Sequence, residues 1–330
     1  MSTTLVTVDI GGTHARFALA GIAAGGAITL GEPVTLHTHD HASFQTAWEH
    51  FAQLQGGTLP PAVAIAIAGP VGRQEDHERM IRFTNNPWVI RPALIHEKLG
   101  AERYTVINDF GAVGHAVARA GAEFFLHLAG PDQPLPERGT LSVLGPGTGM
   151  GVAHVWRDGS GDYRVQATEG GHVDYAPVDS IEDAILARLR QRYRRVSAER
   201  VVSGPGLVDI YEALAGMEGR AIQQVDDKTL WGLGTSGEDS LAAAAVDRFC
   251  LALGSFAGDI ALAQGASAVV IAGGLGLRIK DTLIRSGFAN RFTAKGRFEG
   301  LMAALPVKLI THPQPGLFGA AAAFAKEHLQ

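Results

Sequence analysis

Thr105 to Val117 reads TVINDFGAVGHAV: an apolar run, then Asn108 and Asp109, then small residues in a helical pattern. A carboxylate at such a junction has two uses. It can cap the helix, because its oxygen takes up an orphan N–H of the first turn. It can also serve as a base toward a bound hydroxyl, held rigid and ionised by the helix behind it. Both readings are open on this stretch alone. Two glycine turns offer a second kind of chemistry: Gly11, Gly12 and Thr13 in DIGGTHAR, and Gly145, Gly147, Thr148, Gly149 and Gly151 in GPGTGMG. Turns of this composition let consecutive backbone N–H groups point into one concavity, which is an anion site without any side chain. Either turn alone is balanced by a purely steric reading, and the pair is the more specific signal. Asp9 stands just before the first turn. Beside a polyphosphate, a carboxylate makes sense mainly through a hard cation. Asp9 is therefore assigned to Mg²⁺ through water, against the alternative of a turn-initiating aspartate.

These residues need elements to hold them. LVTVDIGGTHARFALA, from Leu5, and LSVLGPGTGMGVAHVW, from Leu141, share one shape: a β-rich run, a Gly/Thr turn and a second β-compatible run. Each reads as a hairpin, so the chain starts twice. Between them lie the strand AVAIAIAG, the loop FTNNPWVIRP, the strand YTVIND and the helix that Asp109 begins. After the second hairpin come a capped helix from Ser180, the long helical stretch DSLAAAAVDRFCLALGSFAGDIALA, the buried strand SAVVIAGG and the terminal helix PGLFGAAAAFAKEHL. Alternating strands and helices predict α/β layers. A chain of 330 residues exceeds what one core usually absorbs. The expected division is a small α/β domain over 1–118, completed by a C-terminal helix 314–330, and a large α/β domain over 119–313.

Composition narrows the partners. The chain is 46% apolar and 18% charged with a formal net charge of -5, so no basic field draws it to nucleic acid or an anionic membrane. Small molecules are the expected partners. The single cysteine, Cys250, excludes an internal disulfide and a zinc site of several thiolates, fits a reducing compartment, and is expected in the core. The start MSTTLVTVDIGG has no basic leading region, and Asp9 interrupts its apolar stretch, so no signal peptide is expected. AVAIAIAGPV and SAVVIAGGLGL are too short to cross a bilayer. A cytoplasmic protein without nucleic-acid or membrane partners is the expectation. Familiar nucleotide motifs fail by spelling. No lysine completes a G-x-x-x-x-G-K-[ST] string, Met150 stands at the sixth position of a dinucleotide fingerprint begun at Gly145, and the H-R-D of protein kinases is missing. A nucleotide, if bound, is held another way.

DIGGTHAR, TNNPW, INDFGAV, LGPGTGMGVA, EGGHVDYAP, SAERVVSGPGL, VIAGGLG and HPQPGLFGAAA occur in this order along the whole chain. The order resembles that of bacterial ATP-dependent glucokinases of the hexokinase/actin-like superfamily, outside the ROK group. The resemblance implies two ribonuclease H-like (actin-like) domains with an interdomain ATP and sugar cleft. It implies glucose, ATP and Mg²⁺ as small-molecule ligands, and a homodimer. Gly11, Gly12 and Thr13, with Gly147, Thr148 and Gly149, would take the phosphates; Gly273 and Gly274 would face the adenosine. Asn108, Asp109, Glu169, His172 and Glu199 would hold the sugar, a set suited to hydroxyls that both donate and accept. Asp109 would accept the proton of the 6-hydroxyl as that oxygen attacks the γ-phosphoryl group of MgATP, giving glucose 6-phosphate and ADP.

His14 departs from the pattern, since related sequences commonly carry asparagine there. HTHDH, His37 to His41, is read as an exposed loop rather than a metal site. Arg188, Arg190, Arg192, Arg194 and Arg195 end a helix whose start, SIED, resembles a capping box, and are read as a solvated face. The rivals are a kinase for another hexose and a sugar-responsive regulator of the related ROK group. One cysteine cannot supply the zinc motif common in ROK kinases.

Overall fold

The computed structural model describes residues 2–69, 80–83, 86–221 and 224–329; Thr84 and Asn85 of TNNPW lie outside the described residues. The chain divides into two compact units, residues 1–120 with 312–330, and residues 121–311.

In the first unit, β1 (Thr3–Ile10) and β2 (His14–Ile22) form the expected antiparallel hairpin. β3 (Ile28–Leu30) and β4 (Val34–His37) both pair with β2. β5 (Ala62–Ile67) lies parallel to β1; beyond a small ribbon of β6 (Ile81–Arg82) and β7 (Val89–Ile90), β8 (Arg103–Asn108) lies parallel to β5. The period of two in AVAIAI explains how this sheet is buried on both faces. Ala62, Ala64 and Ala66 point to a layer with Ala112, Ala320, Ala321 and Phe324, whereas Val63, Ile65 and Ile67 point to a layer with Phe44, Trp48, Phe51 and Trp88. Alanines on the first side let two helices lie close. These are Asp109–Arg119 and the C-terminal helix Pro315–His328.

The second unit repeats the plan. β9 (Phe125–Ala129) is followed by β10 (Arg138–Pro146), β11 (Met150–Asp158) and β12 (Tyr163–Thr168), an antiparallel meander. β13 (Ala266–Ile271) lies parallel to β10, and β14 (Val307–Ile310) parallel to β13. The order β12-β11-β10-β13-β14 thus matches β3-β2-β1-β5-β8 strand for strand in both order and direction, with β9 added antiparallel at one edge. This is the ribonuclease H-like plan that the resemblance implies. The long helix Ser240–Gln264 is apolar enough to span a membrane by length and composition, yet most of it is buried within this unit. Cys250 is fully buried on it, and burial pushes its thiol up to about 12.

Two helix starts differ from expectation by one residue. Asn108, not Asp109, caps the helix Asp109–Arg119: its Oδ1 accepts the N–H groups of Phe110 (2.9 Å) and Gly111 (3.0 Å). Asp179, not Ser180, caps the helix Ser180–Arg192, accepting from Ile181 and Glu182. In both cases an Asx side chain sat one residue earlier than the candidate, and its shorter reach to the second and third amides wins. The arginine face is also more paired than expected. Arg188 and Arg192 bond Glu212, Arg192 also pairs with Asp209, and Arg195 pairs with Asp174.

His115, on the helix Asp109–Arg119, is pushed down to about 4 by burial and by Lys326 of the C-terminal helix. Its folded value lies below the unfolded one near 6.5. The unfolded chain therefore takes up the proton first, and stability present above pH 6.5 is lost as pH falls toward 4. The full span corresponds to about 3 kcal/mol. Urea unfolding of His115→Gln at pH 7 and pH 5 is expected to show a smaller loss on acidification than the parent; equal losses would remove His115 as the source.

Candidate functional site

In the first unit, register places Asp9 opposite Arg16 and Ile10 opposite Ala15, leaving Gly11, Gly12 and Thr13 as the connection. The turn closes with the Gly11 N–H on the His14 carbonyl, 2.9 Å. All three carbonyls of the turn are taken by neighbours. Asn86 Nδ2 donates to Gly11 O (3.3 Å), Thr38 Oγ1 to Gly12 O (2.9 Å) and Thr38 N to Thr13 O (3.0 Å). The N–H groups of Gly12 and Thr13 donate to no acceptor among the described residues. A turn with its acceptors spent and its donors left over suits an anion. Thr38 and Asn86 were not singled out from sequence. Thr38 sits inside HTHDH, and only its polar type hinted at a bracing role.

Asp9 Oδ2 stands 3.4 Å from Arg16 Nη1. It also faces the start of the C-terminal helix, where a Cβ on Gly316 would come within 2.6 Å of Oδ2. Burial raises the Asp9 pKa, and the Arg16 guanidinium opposes that rise. A nearby divalent cation would do the same more strongly, so this carboxylate fits the Mg²⁺ role.

Asn108 and Asp109 end β8 and begin the next helix. Asn108 spends Oδ1 on its cap and one Nδ2 hydrogen on the Gly69 carbonyl (2.9 Å). Its second Nδ2 hydrogen is the part available for a hydroxyl. Asp109 Oδ1 accepts the N–H of Phe110 at 2.8 Å. The carboxylate is thus pinned at the positive end of the helix.

In the second unit, Gly147, Thr148 and Gly149 connect β10 to β11. Gly147 N donates to Gly149 O (2.8 Å), and Gly147 O accepts from Gly204 N (2.7 Å). The N–H groups of Thr148 and Gly149 donate to no acceptor among the described residues, as in the first turn. Neither Gly147 nor Gly149 has a positive φ. At position 149 the requirement is room: a Cβ would come within 2.5 Å of Glu199 Oε2. That same oxygen accepts the N–H of Met150 at 2.8 Å. Glu199, 49 residues downstream, is therefore tied to the end of the turn.

Glu169 and His172 bracket the short turn Gly170–His172 that follows β12. Carboxylate and imidazole are 3.9 Å apart, and their side chains are 70% and 56% exposed, open to a ligand rather than consumed by packing. The chain then runs beside 196–198, with Tyr175 N on Val196 O and Ala198 N on Val173 O. That pairing delivers Glu199, so Glu169, His172 and Glu199 belong to one connected assembly against Met150. Gly273 sits at the root of the same hairpin. It has φ +85°, and a Cβ there would come within 2.9 Å of Pro146 O, so no other residue fits without strain. Gly274 has open space around its Cα.

Comparison with known proteins agrees with this geometry. The glucokinase family model matches residues 6–327. A glucokinase of Zymomonas mobilis subsp. mobilis is 56% identical over 98% of both chains. Among solved structures, a glucokinase from an Antarctic psychrotroph superposes with a TM-score of 0.84 at 32% identity, covering 98% of this chain and 99% of that one. One from Balamuthia mandrillaris, in complex with glucose, superposes with a TM-score of 0.80 at 20% identity over 98% and 94%, a likeness of fold alone. With a family match over nearly its whole length and a relative of this similarity, the chain belongs to the glucokinase family.

Proposed function

We propose that, in this ATP-dependent glucose kinase, Asp109 is the base that takes the proton of the sugar 6-hydroxyl while backbone amides of two glycine turns hold the phosphates of ATP. The observation that carries this reading is the repetition of one device. Each unit has an antiparallel hairpin on the same plan, and each connection leaves two adjacent N–H groups without an acceptor among the described residues, Gly12 and Thr13 in one and Thr148 and Gly149 in the other. Gly273 and Gly274 present bare backbone toward the nucleoside.

The sugar is held by the remaining Nδ2 hydrogen of Asn108, by Asp109, and by Glu169, His172 and Glu199. A carboxylate accepting from a hydroxyl makes a charge-assisted bond, and misplacing one hydroxyl leaves a polar group unpaired, so this set selects by stereochemistry. Positioning supplies much of the catalysis in phosphoryl transfer; a well-placed base adds about 10² to 10⁴ in rate. Asp9 takes Mg²⁺ through water. The ion, when bound, neutralises charge on the phosphates of the donor. Homodimeric assembly, on the resemblance alone, and a cytoplasmic site of action, which a lone buried thiol suits, belong to the same reading.

A coupled assay across glucose, mannose, fructose and glucosamine, with ATP, ADP and inorganic polyphosphate as donors, tests the substrate assignment. Glucose with ATP is expected to give the highest kcat/KM. A higher value for mannose or the amino sugar would transfer the assignment to that hexose, and a sugar-independent ATPase of equal rate would remove it.

A further inference from the structure

Directly after the first turn the backbone presents His14, on the same outward face of β2 as Arg16. Its ring is exposed, and Nδ1 is 2.8 Å from Thr13 Oγ1. Pairing of β2 with β4 sets His37 opposite it, with ring centroids 4.6 Å apart. His39 lies 5.4 Å from His37. Three imidazoles and a guanidinium thus line the outer side of a turn whose donors are left over. The carboxylates nearby pair within this cluster, Asp9 with Arg16 and Asp40 with His39, which leaves His14 and His37 as the rings without a carboxylate partner among the described residues.

We propose that His14, backed by His37 and His39, contacts the phosphate chain of the donor and makes donor affinity depend on pH. The inference rests on the reading that the Gly11–Thr13 turn holds phosphate. Three neighbouring imidazoles repel one another when charged, and a bound polyanion relieves that repulsion. The Thr13 hydroxyl fixes which ring nitrogen faces away: when it donates to Nδ1, the neutral ring carries its proton on Nε2, a donor to an anion. Below neutrality the protonated ring adds a full charge. The groups facing His14 are His37 on β4, His39 and Asp40 in the segment after it, and Arg16 on its own strand with Asp9 on β1. Partial desolvation by its neighbours lowers the His14 pKa most, and the charges of His37, Arg16 and His39 lower it further. Proton uptake and donor binding are consequently linked, each favouring the other.

The test is a histidine-resolved NMR titration of the full-length protein, free and saturated with MgADP, together with MgADP dissociation constants from pH 8 to pH 6. The His14 pKa is expected to rise by about one pH unit on saturation, equivalent to roughly a tenfold linkage. The ratio of dissociation constants, His14→Asn over parent, is expected to grow about three- to fivefold between pH 8 and pH 6, the full factor of about ten being reached only at lower pH, with His14→Gln behaving alike and His50→Asn, outside the cluster, leaving the ratio flat. If the His14 pKa and the ratio stay constant while the amides of Gly12 and Thr13 shift on MgADP addition, the role of His14 is overturned and the turn assignment survives. If those amides do not respond either, the phosphate reading of the turn falls first and the inference falls with it.

Discussion

Asp109→Asn is expected to lower kcat by about 10² to 10⁴, equivalent to roughly 3–5 kcal/mol of transition-state stabilisation, while glucose still binds. The local structure makes this substitution unusually clean. Asp109 is not the cap of its helix; Asn108 is, through Oδ1 bonds to Phe110 and Gly111. The Asp109 bond to the start of the helix, Oδ1 to Phe110 N, is an acceptor role that an asparagine oxygen can fill. Shape and helix start are retained and the ability to take a proton is lost. Steady-state kinetics and glucose calorimetry on the same preparation separate the two effects. Turnover within a few-fold of the parent, with sugar binding intact, would remove Asp109 as the base and leave it as a hydrogen-bonding residue.

Gly319→Ala is expected to destabilise the first unit by about 2–4 kcal/mol, because a Cβ at this position would overlap the carbonyl oxygen of Ala112 outright. The two helices meet backbone to backbone here, Asp109–Arg119 against Pro315–His328, and the alanine-lined layer of the sheet leaves them no slack. A one-carbon addition must push one helix away or bend it, since interiors are close-packed. Gly300→Ala is the control: nothing lies within 4 Å of its Cβ position on the short helix Glu299–Ala303, so a neutral or slightly stabilising effect is expected. Denaturant unfolding of the two variants is the measurement. Equal stability would mean that the helix pair relaxes freely. The expected loss also reaches function, because the displaced helix carries Asp109 at its first position.

How much of this was legible depends on distance along the chain. Both hairpins, the alternating strand AVAIAI, the long helix ending at Gln264 and the C-terminal helix are local patterns of hydrophobic period and turn chemistry, and they were read correctly. The caps were off by one, because NDF and DSI each offer two neighbouring Asx or Ser candidates and only backbone conformation distinguishes them: Asn108 and Asp179 are extended. Glu199 was assigned to the sugar on family resemblance, yet nothing local indicated that its carboxylate also holds Met150 N, a bond across 49 residues. The approach of Gly316 to Asp9 spans almost the whole sequence and was equally invisible. Arg188 and Arg192 were read as solvated because their partners, Glu212 and Asp209, lie on the next long helix.

The C-terminal helix supplies Ala320, Ala321 and Phe324 to a layer that the N-terminal strands begin. During translation, residues 121–311 are all added between those two contributions. At about 5–20 residues per second this interval lasts roughly 10–40 s. Throughout it, the sheet of β1, β2, β5 and β8 has one apolar side half covered. Nascent chains stalled before Pro315 therefore lack the cover that Ala320, Ala321 and Phe324 give this layer, and the later helix seals a surface that the earlier strands had already built.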